Sequence, residues 1–472
     1  MFDPTLPEVA KQLNDLKIAV GDAPVNLNIV WTLVTGFLVM FMQAGFALVE
    51  TGLCRRKNVA HTMAMNFLVY SIGILGFWMV GFAFQMGGVG AMATFGGDAT
   101  LASEYVLRFG GHDFGLFGTR GFFLTFETYT PAVAAMFLFQ MVFMDTTATI
   151  PTGAMAERWK FLSFCLFSLV ISTLIYPIFA NWTWGGGWLA NLGVNYKLGH
   201  GHVDFAGSSV VHMTGGVAAF VGAKILGPRI GKYNADGSAN AIPPHNIPMA
   251  LLGAFILAFG WFGFNPGSTL SGSDTRIAII ATNTMLASAS GTASAGIYVW
   301  LRFGKPDPTW LANGMLAGLV AITAPCAFVG APSAILIGAI AGILVVVGAM
   351  FVEHTLKVDD PVGATAVHGI NGAWGVLSLG LFANGSYGDG FNGVSGKVTG
   401  LFFGDSGQFF AECIGVCTNI VYVGAMTAIT MFVLNKLVGN RVSAEDEIAG
   451  LDVPEMGVPG YNDELPSEYD QA

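Results

Sequence analysis

Charge is what this chain has least of. Of its 472 residues only 11% are Asp, Glu, Lys or Arg, and 53% are hydrophobic, whereas a soluble domain carries about 25% charged residues. A water-soluble fold is thereby excluded, and a polytopic, all-α membrane protein is expected. The net charge of −10 sits mainly in the loops and in a tail between Glu445 and Asp470, so it names no basic partner, and no nucleic-acid partner is expected. Cysteine is scarce as well. The five (Cys54, Cys165, Cys326, Cys413, Cys417) are odd in number, lie in or beside apolar segments and lack metal-ligand or secreted-framework spacing, so they read as packing residues. The first two dozen residues lack the basic start and short apolar core of a signal peptide. Such a segment either never existed or is already absent from this sequence. Histidine is rare too, at eight residues, and two of the eight share one pattern.

Asp204 opens D-F-A-G-S-S-V-V-H, ending at His212, and Asp360 opens D-P-V-G-A-T-A-V-H, ending at His368. Each frame carries a further glycine four residues on, Gly216 and Gly372. Glycine is too common for the matched Gly207/Gly363 pair to weigh much, but two histidines in one register are hard to obtain by chance. Both lie in apolar runs, and at ~1.5 Å per residue eight helical positions reach near the middle of a ~30 Å hydrocarbon core. An ionisable side chain at that depth is a functional candidate by default. The competing reading, two satisfied packing histidines, is weaker for a matched pair than for either alone.

Apolar segments of spanning length fall at roughly 27–50, 61–87, 130–153, 161–181, 205–226, 247–266, 276–301, 309–329, 333–352, 363–383 and 408–435. Eleven crossings put the termini on opposite sides. With the N-terminus outside, thirteen of the twenty Lys and Arg residues fall on the inside, so the positive-inside rule favours N-out and C-in. The fifth and tenth spans then run in opposite directions. Spans 1–5 and 6–10 are expected to form an inverted repeat, with a site near the midplane where the two histidines meet. The expected organisation is an extracytoplasmic segment 1–26, an eleven-helix domain 27–437 and a cytoplasmic tail 438–472, too short for a second domain. Span seven (281–296) is mostly Ala, Ser, Thr, Gly and Asn, which suits close helix packing. The long loop 88–128 shows no repeat, and its role is not readable from the sequence.

Aromatic and polar candidates cluster at two span ends. Trp184 precedes Gly185–Gly187, W-F-G-F-N-P-G-S (261–268) closes span six, and Phe143 lies within span three. Aromatic faces attract a small cation by ~0.5–2 kcal/mol each, and the Ser268 hydroxyl can accept a hydrogen bond. An interfacial aromatic belt is the competing reading for Trp184. Asp204, ahead of Phe205 and Ala206, suits a helix cap that accepts first-turn N–H groups, which favours a structural role over direct contact with a ligand. A second acid, Asp145, lies within span three, with Thr146, Thr147 and Thr149 as nearby hydroxyl donors. Being about 200° round the helix from Phe143, it is expected to face packed helices.

The run D-F-A-G-S-S-V-V-H-M-T-G-G-V-A-A-F-V-G-A-K-I-L-G-P-R (204–229) closely resembles the signature of the ammonium transporter (Amt/MEP/Rh) family. D-D-P-V-G-A-T-A-V-H-G-I-N-G-A-W-G around His368, W-F-G-F-N-P-G-S, G-A-M-A-E-R (153–158) and W-G-G-G-W (184–188) resemble further landmarks of that family, from the first span to the last. The resemblance implies a homotrimer of eleven-helix subunits in the cell membrane, each with its own pore and no cofactor. It implies an outer ammonium site and aromatic gate at Trp184, Phe143, Phe264 and Ser268, supported by Asp204, and a pore lined by His212 and His368. Ammonium, ammonia and methylammonium are the implied substrates. A PII-type signalling protein is an implied partner at the tail, although Met456, Gly457 and Val458 stand where many bacterial members carry His-Gly-Glu. Two alternatives differ in class: an ammonium sensor of the same fold acting through a separate partner, and an intramembrane metalloenzyme. The second is disfavoured because neither histidine motif offers a third ligand, and catalytic zinc usually has three.

Overall fold

The computed structural model describes residues 6–461. Its long helical segments are Leu6–Leu53 (α1), Arg56–Met86 (α2), Pro131–Met155 (α3), Phe161–Trp184 (α4), Ser208–Leu226 (α5), Ile247–Phe264 (α6), Ile277–Phe303 (α7), Pro308–Thr323 (α8), Ala331–Thr355 (α9), Thr365–Ile370 continuing as Asn371–Phe382 (α10), and Ser406–Leu437 (α11). Among the described residues, eight helices are long and apolar enough to cross a membrane; α7, α8 and α10 are not in that set. The protein is a multi-pass membrane protein, and helices are the expected form because lipid offers backbone groups no partner outside their own segment.

Sequence-encoded caps begin several helices. Thr130 accepts from Val133 N at 3.2 Å, Asn246 from Met249 N at 3.0 Å, Asp307 from Thr309 N at 2.9 Å and Asp405 from Gln408 N at 3.1 Å. The first three precede helices with proline in the first turn, where its missing N–H costs nothing. Helix α1 lies along α6, α3 packs on α5, α5 on α11, and α7 against both α8 and α9. The small residues of α7 do what their composition predicts. A Cβ on Gly318 of α8 or Gly338 of α9 would fall 2.3 or 2.2 Å from the carbonyl oxygen of Ala287, and one on Gly342 would fall 2.1 Å from that of Gly291.

Loop 88–128 holds something the sequence did not disclose, an antiparallel hairpin of Glu104–Phe109 (β1) and His112–Gly118 (β2). It meets the loop after α4 through Trp188 N to Gly115 O at 3.1 Å. At the opposite end the tail folds back on the loops. Asp452 accepts from His61 N at 2.9 Å, Glu455 from Phe161 N at 2.8 Å and Glu447 from Ile230 N at 2.6 Å, while the Tyr461 hydroxyl meets His245 Nε2 at 2.9 Å. Residues 462–472, the last part of the acidic tail, lie outside the described residues. Of the cysteines, Cys54 and Cys326 are buried as expected, but Cys417 is exposed on the outward face of α11.

Because the obstacle to a side chain at Gly338 is backbone rather than a flexible side chain, Gly338→Ala must separate α7 from α9. An overpacking cost of about 1–3 kcal/mol is expected. It should appear as a lower melting temperature of detergent-purified protein, whereas Gly424→Ala, with its nearest neighbours at 3.9 Å, should melt as the parent does.

Candidate functional site

Both Asp-to-His motifs build the same local structure. The Asp204 carboxylate accepts from the backbone N–H groups of Gly207, Ser208, Ser209 and Val210 at 2.9, 2.8, 2.7 and 3.0 Å, and from Ser209 Oγ at 2.7 Å. Asp360 accepts from Gly363, Ala364 and Thr365 N at 3.0, 3.1 and 2.7 Å. In each, the chain turns at a left-handed glycine, Gly207 (φ 115°) or Gly363 (φ 76°), a conformation that costs glycine little. Each turn opens a short π-helical stretch, Ser208–Met213 or Thr365–Ile370, that carries the histidine. The sequence reading of Asp204 as a cap is therefore met, with both oxygens engaged.

The two stretches cross in backbone contact. A Cβ on Gly216 would lie 2.1 Å from Gly369 N, and one on Gly372 would lie 2.5 Å from Ser208 O. This contact sets His212 Nδ1 3.2 Å from His368 Nδ1. Both rings are buried, and His212 Nε2 has no hydrogen-bond partner among the described residues.

Aromatic rings continue from the pair toward the Asp204 end. Phe264 lies 5.3 Å from His212 between ring centroids and 4.2 Å from Phe143, and Phe143 meets Trp184 edge-on at 5.9 Å. Trp184 is half-buried and donates from Nε1 to Asp204 O at 2.6 Å, so it faces this column instead of an interfacial belt. Ser268 is also half-buried and donates to Phe264 O at 2.7 Å, one turn back. Trp184, Phe143, Phe264, Asp204, His212 and His368 thus form one contiguous group.

Two participants escaped the sequence reading. Trp261 stacks on His212 (5.2 Å, 19°) and is pinned by Nε1 donating to Thr323 Oγ1 at 2.9 Å. Phe46 of α1 flanks His368 at 6.0 Å. Trp261 stood within a quoted motif, and its offset of three from Phe264 placed both on one helix face; Phe46 carried no such signal. Asp145 is buried, but the expected donors do not reach its carboxyl: Thr146, Thr147 and Thr149 donate to the carbonyls of Val142, Phe143 and Asp145, each four residues back. Helical hydroxyls turn to these nearby carbonyls by default.

At the Asp360 end an ion-pair cluster ties three loops together. Arg229 grips Asp359 through Nε and Nη2 at 2.8 and 2.9 Å and reaches Glu157 Oε1 at 2.9 Å. Burial alone would raise the Asp359 carboxyl, but the Arg229 fork outweighs it and holds the group well below the usual carboxylate range.

Residues 30–461 match the model of the Ammonium Transporter Family. The chain belongs to that family. It is 44% identical to ammonium transporter Amt2 of Archaeoglobus fulgidus over 97% of this chain and 91% of that one, and 37% identical to ammonium transporter Amt1 of Haloferax mediterranei over 92% and 79%. Among solved structures it resembles a sensor Amt protein (TM-score 0.80, 36% identity, 92% of this chain and 99% of that one) and Mep2 of Candida albicans (TM-score 0.75, 25% identity, 89% and 87%). For an ammonium transporter with Phe264 wedged between Phe143 and His212, Phe264→Leu removes the aromatic face and keeps apolar bulk. Methylammonium uptake should fall ~3- to 10-fold, the equivalent of one or two ring contacts, with unchanged yield and melting temperature. Equal uptake would reduce the ring to packing.

Proposed function

We propose that this protein conducts ammonium by recruiting NH4+ at Trp184, Phe143, Phe264 and Ser268 and passing it as NH3 along His212 and His368. The observation that carries this reading is the His212–His368 pair at 3.2 Å, buried under stacked aromatic rings. Two Nδ1 atoms at that separation share one hydrogen when both rings are neutral. One ring then offers an Nε2 lone pair and the other an Nε2–H, so the pair can both accept from and donate to ammonia. A desolvated monovalent cation loses far more hydration energy than a few ring contacts return. The ion must give up a proton before it enters, and the linked imidazoles are the groups placed to relay it.

The two ends of the protein are assigned by charge and chain path. The Asp204 end is taken as outer, with Asp204 as the carboxylate supporting the recruitment site, and the Asp360 end as cytoplasmic. Eleven crossings, an N-out/C-in orientation and an inverted repeat of spans 1–5 and 6–10 fit three observations: thirteen of twenty basic residues assigned inside, tail contacts with the starts of α2 and α4 and with the loop after α5, and matched cradles around Asp204 and Asp360. The segments 1–26, 27–437 and 438–472 are then extracytoplasmic, transporting and cytoplasmic. A homotrimer and a PII-type partner at the tail follow from the family resemblance. Asp145 is taken as structural, off the conduction path.

A second reading has support of its own, the 36% identity to a protein described as a sensor Amt protein. Transport by purified protein separates the two. Vesicles containing it should accumulate methylammonium, and His212→Ala with His368→Ala should abolish net uptake or its selectivity without disturbing assembly. Absence of uptake of ammonium or methylammonium at any pH by correctly assembled protein would favour the sensor; unaltered flux in the double variant would remove the histidines from the path.

A further inference from the structure

The last long helix, α11, carries a buried polar face that the pore does not use. Gln408, Glu412, Gly415 and Asn419 follow at intervals of four, three and four on one side of α11, and the side chains of Gln408, Glu412 and Asn419 are fully buried. All of them address the segment that holds Asp204. Gln408 Nε2 donates to Gly201 O at 2.8 Å and to Glu412 Oε1 at 2.7 Å, while its Oε1 accepts from His200 N at 2.9 Å. Glu412 Oε1 also accepts from Val203 N at 3.1 Å, and Asn419 Nδ2 donates to Ser209 O at 3.2 Å and Thr214 Oγ1 at 2.9 Å. At Gly415 a Cβ would fall 2.3 Å from His202 Nδ1, so only glycine lets that ring lie against the helix.

His202 is the centre of this seam. Its Nδ1 is 2.6 Å from Glu412 Oε2 and its Nε2 is 2.9 Å from Ser209 Oγ. The direction of each hydrogen bond follows from counting. Asp204 already receives four backbone N–H groups, which leaves no room for a proton of its own, so at 2.7 Å the Ser209 hydroxyl donates to it. That spends the only hydroxyl hydrogen. His202 Nε2 must therefore donate to Ser209, and Nδ1 and Glu412 share one further proton between them.

We propose that Glu412 and His202 are positioning residues for the outer ammonium site. By keeping a hydrogen on Nε2 they commit the Ser209 hydroxyl to Asp204, which fixes the orientation of the carboxylate and holds the Asp204 carbonyl that accepts from Trp184 Nε1 at 2.6 Å. With Glu412 and His202 absent, Ser209 is free to turn away, and the Trp184 wall of the site loses its anchor. This inference rests on the outer-site assignment made above.

The test is methylammonium uptake into vesicles as a function of concentration, for variants checked for assembly and melting temperature. His202→Phe with Glu412→Met replaces the pair by apolar groups of similar size, an exchange that buried ion pairs often tolerate without loss of stability. The half-saturating concentration should rise roughly five- to tenfold, the loss of about one ordinary hydrogen bond, with maximal uptake little changed. Ser209→Ala, which leaves both partners of the pair in place, should raise it similarly and serves if the double variant fails to assemble. Glu412→Gln should behave as the parent: its oxygen stays with Val203 N and Gln408, its NH2 group donates to Nδ1, and the hydrogen remains on Nε2. A Trp184→Leu variant calibrates the assay. If it raises the half-saturating concentration while the His202/Glu412 and Ser209 variants do not, or if Glu412→Gln is as impaired as the double variant, the positioning role is overturned and the outer site stands. If Trp184→Leu itself changes nothing, the outer-site assignment fails and this inference with it.

Discussion

The crossing of two backbone segments at Gly216 and Gly372 is the contact on which the rest of the molecule depends. It allows no substitute, since any Cβ there would sit within about 2.5 Å of backbone atoms of the opposite segment. That approach brings the Nδ1 atoms of His212 and His368 within one hydrogen bond of each other, in a region where a single unpaired imidazole would be costly. The carboxylates of Asp204 and Asp360 secure the two segments from opposite ends by collecting the N–H groups of their first turns, donors that a helix start leaves open. Each histidine sits in a π-helical stretch that begins just beyond its carboxylate's turn, a form frequent where function constrains a helix.

The surrounding rings make the environment apolar. Trp261 and Phe264 stack over His212, Phe46 flanks His368, and Phe143 lies against Phe264. The rings themselves carry no counter-charge, the condition on which the proposed passage of neutral ammonia rests, and within the column Trp184 and Ser268 are the half-exposed members. The centre of this ammonium transporter thus combines close backbones, one paired imidazole couple and a buried aromatic collar.

Much of this was legible from residue order alone. The duplicated Asp-to-His frame pointed to both histidines and both carboxylates because histidine is rare and charge is expensive in lipid, and Trp184 and Phe264 stood out as aromatic residues at span ends and Phe143 as one inside a span. What could not be read depends on distance between remote positions. Glu412 and His202 are separated by 210 residues, and nothing in either local sequence pairs them. The hairpin at 104–118 was hidden for another reason: its strands are short, and Gly110 and Gly111 at the turn looked like part of a glycine-rich loop. Asp145 shows the limit of proximity in sequence, since the neighbouring threonines prefer their own helix carbonyls to its carboxyl.

The central claim is that only a molecule able to surrender a proton passes the histidine pair. Potassium is a monovalent cation of similar size that cannot do so. Vesicles containing the purified protein, challenged in turn with ammonium and potassium at equal concentration, should take up ammonium and show neither potassium flux nor potassium current above protein-free vesicles. Potassium flux comparable to that of ammonium through the unmodified protein would contradict the account.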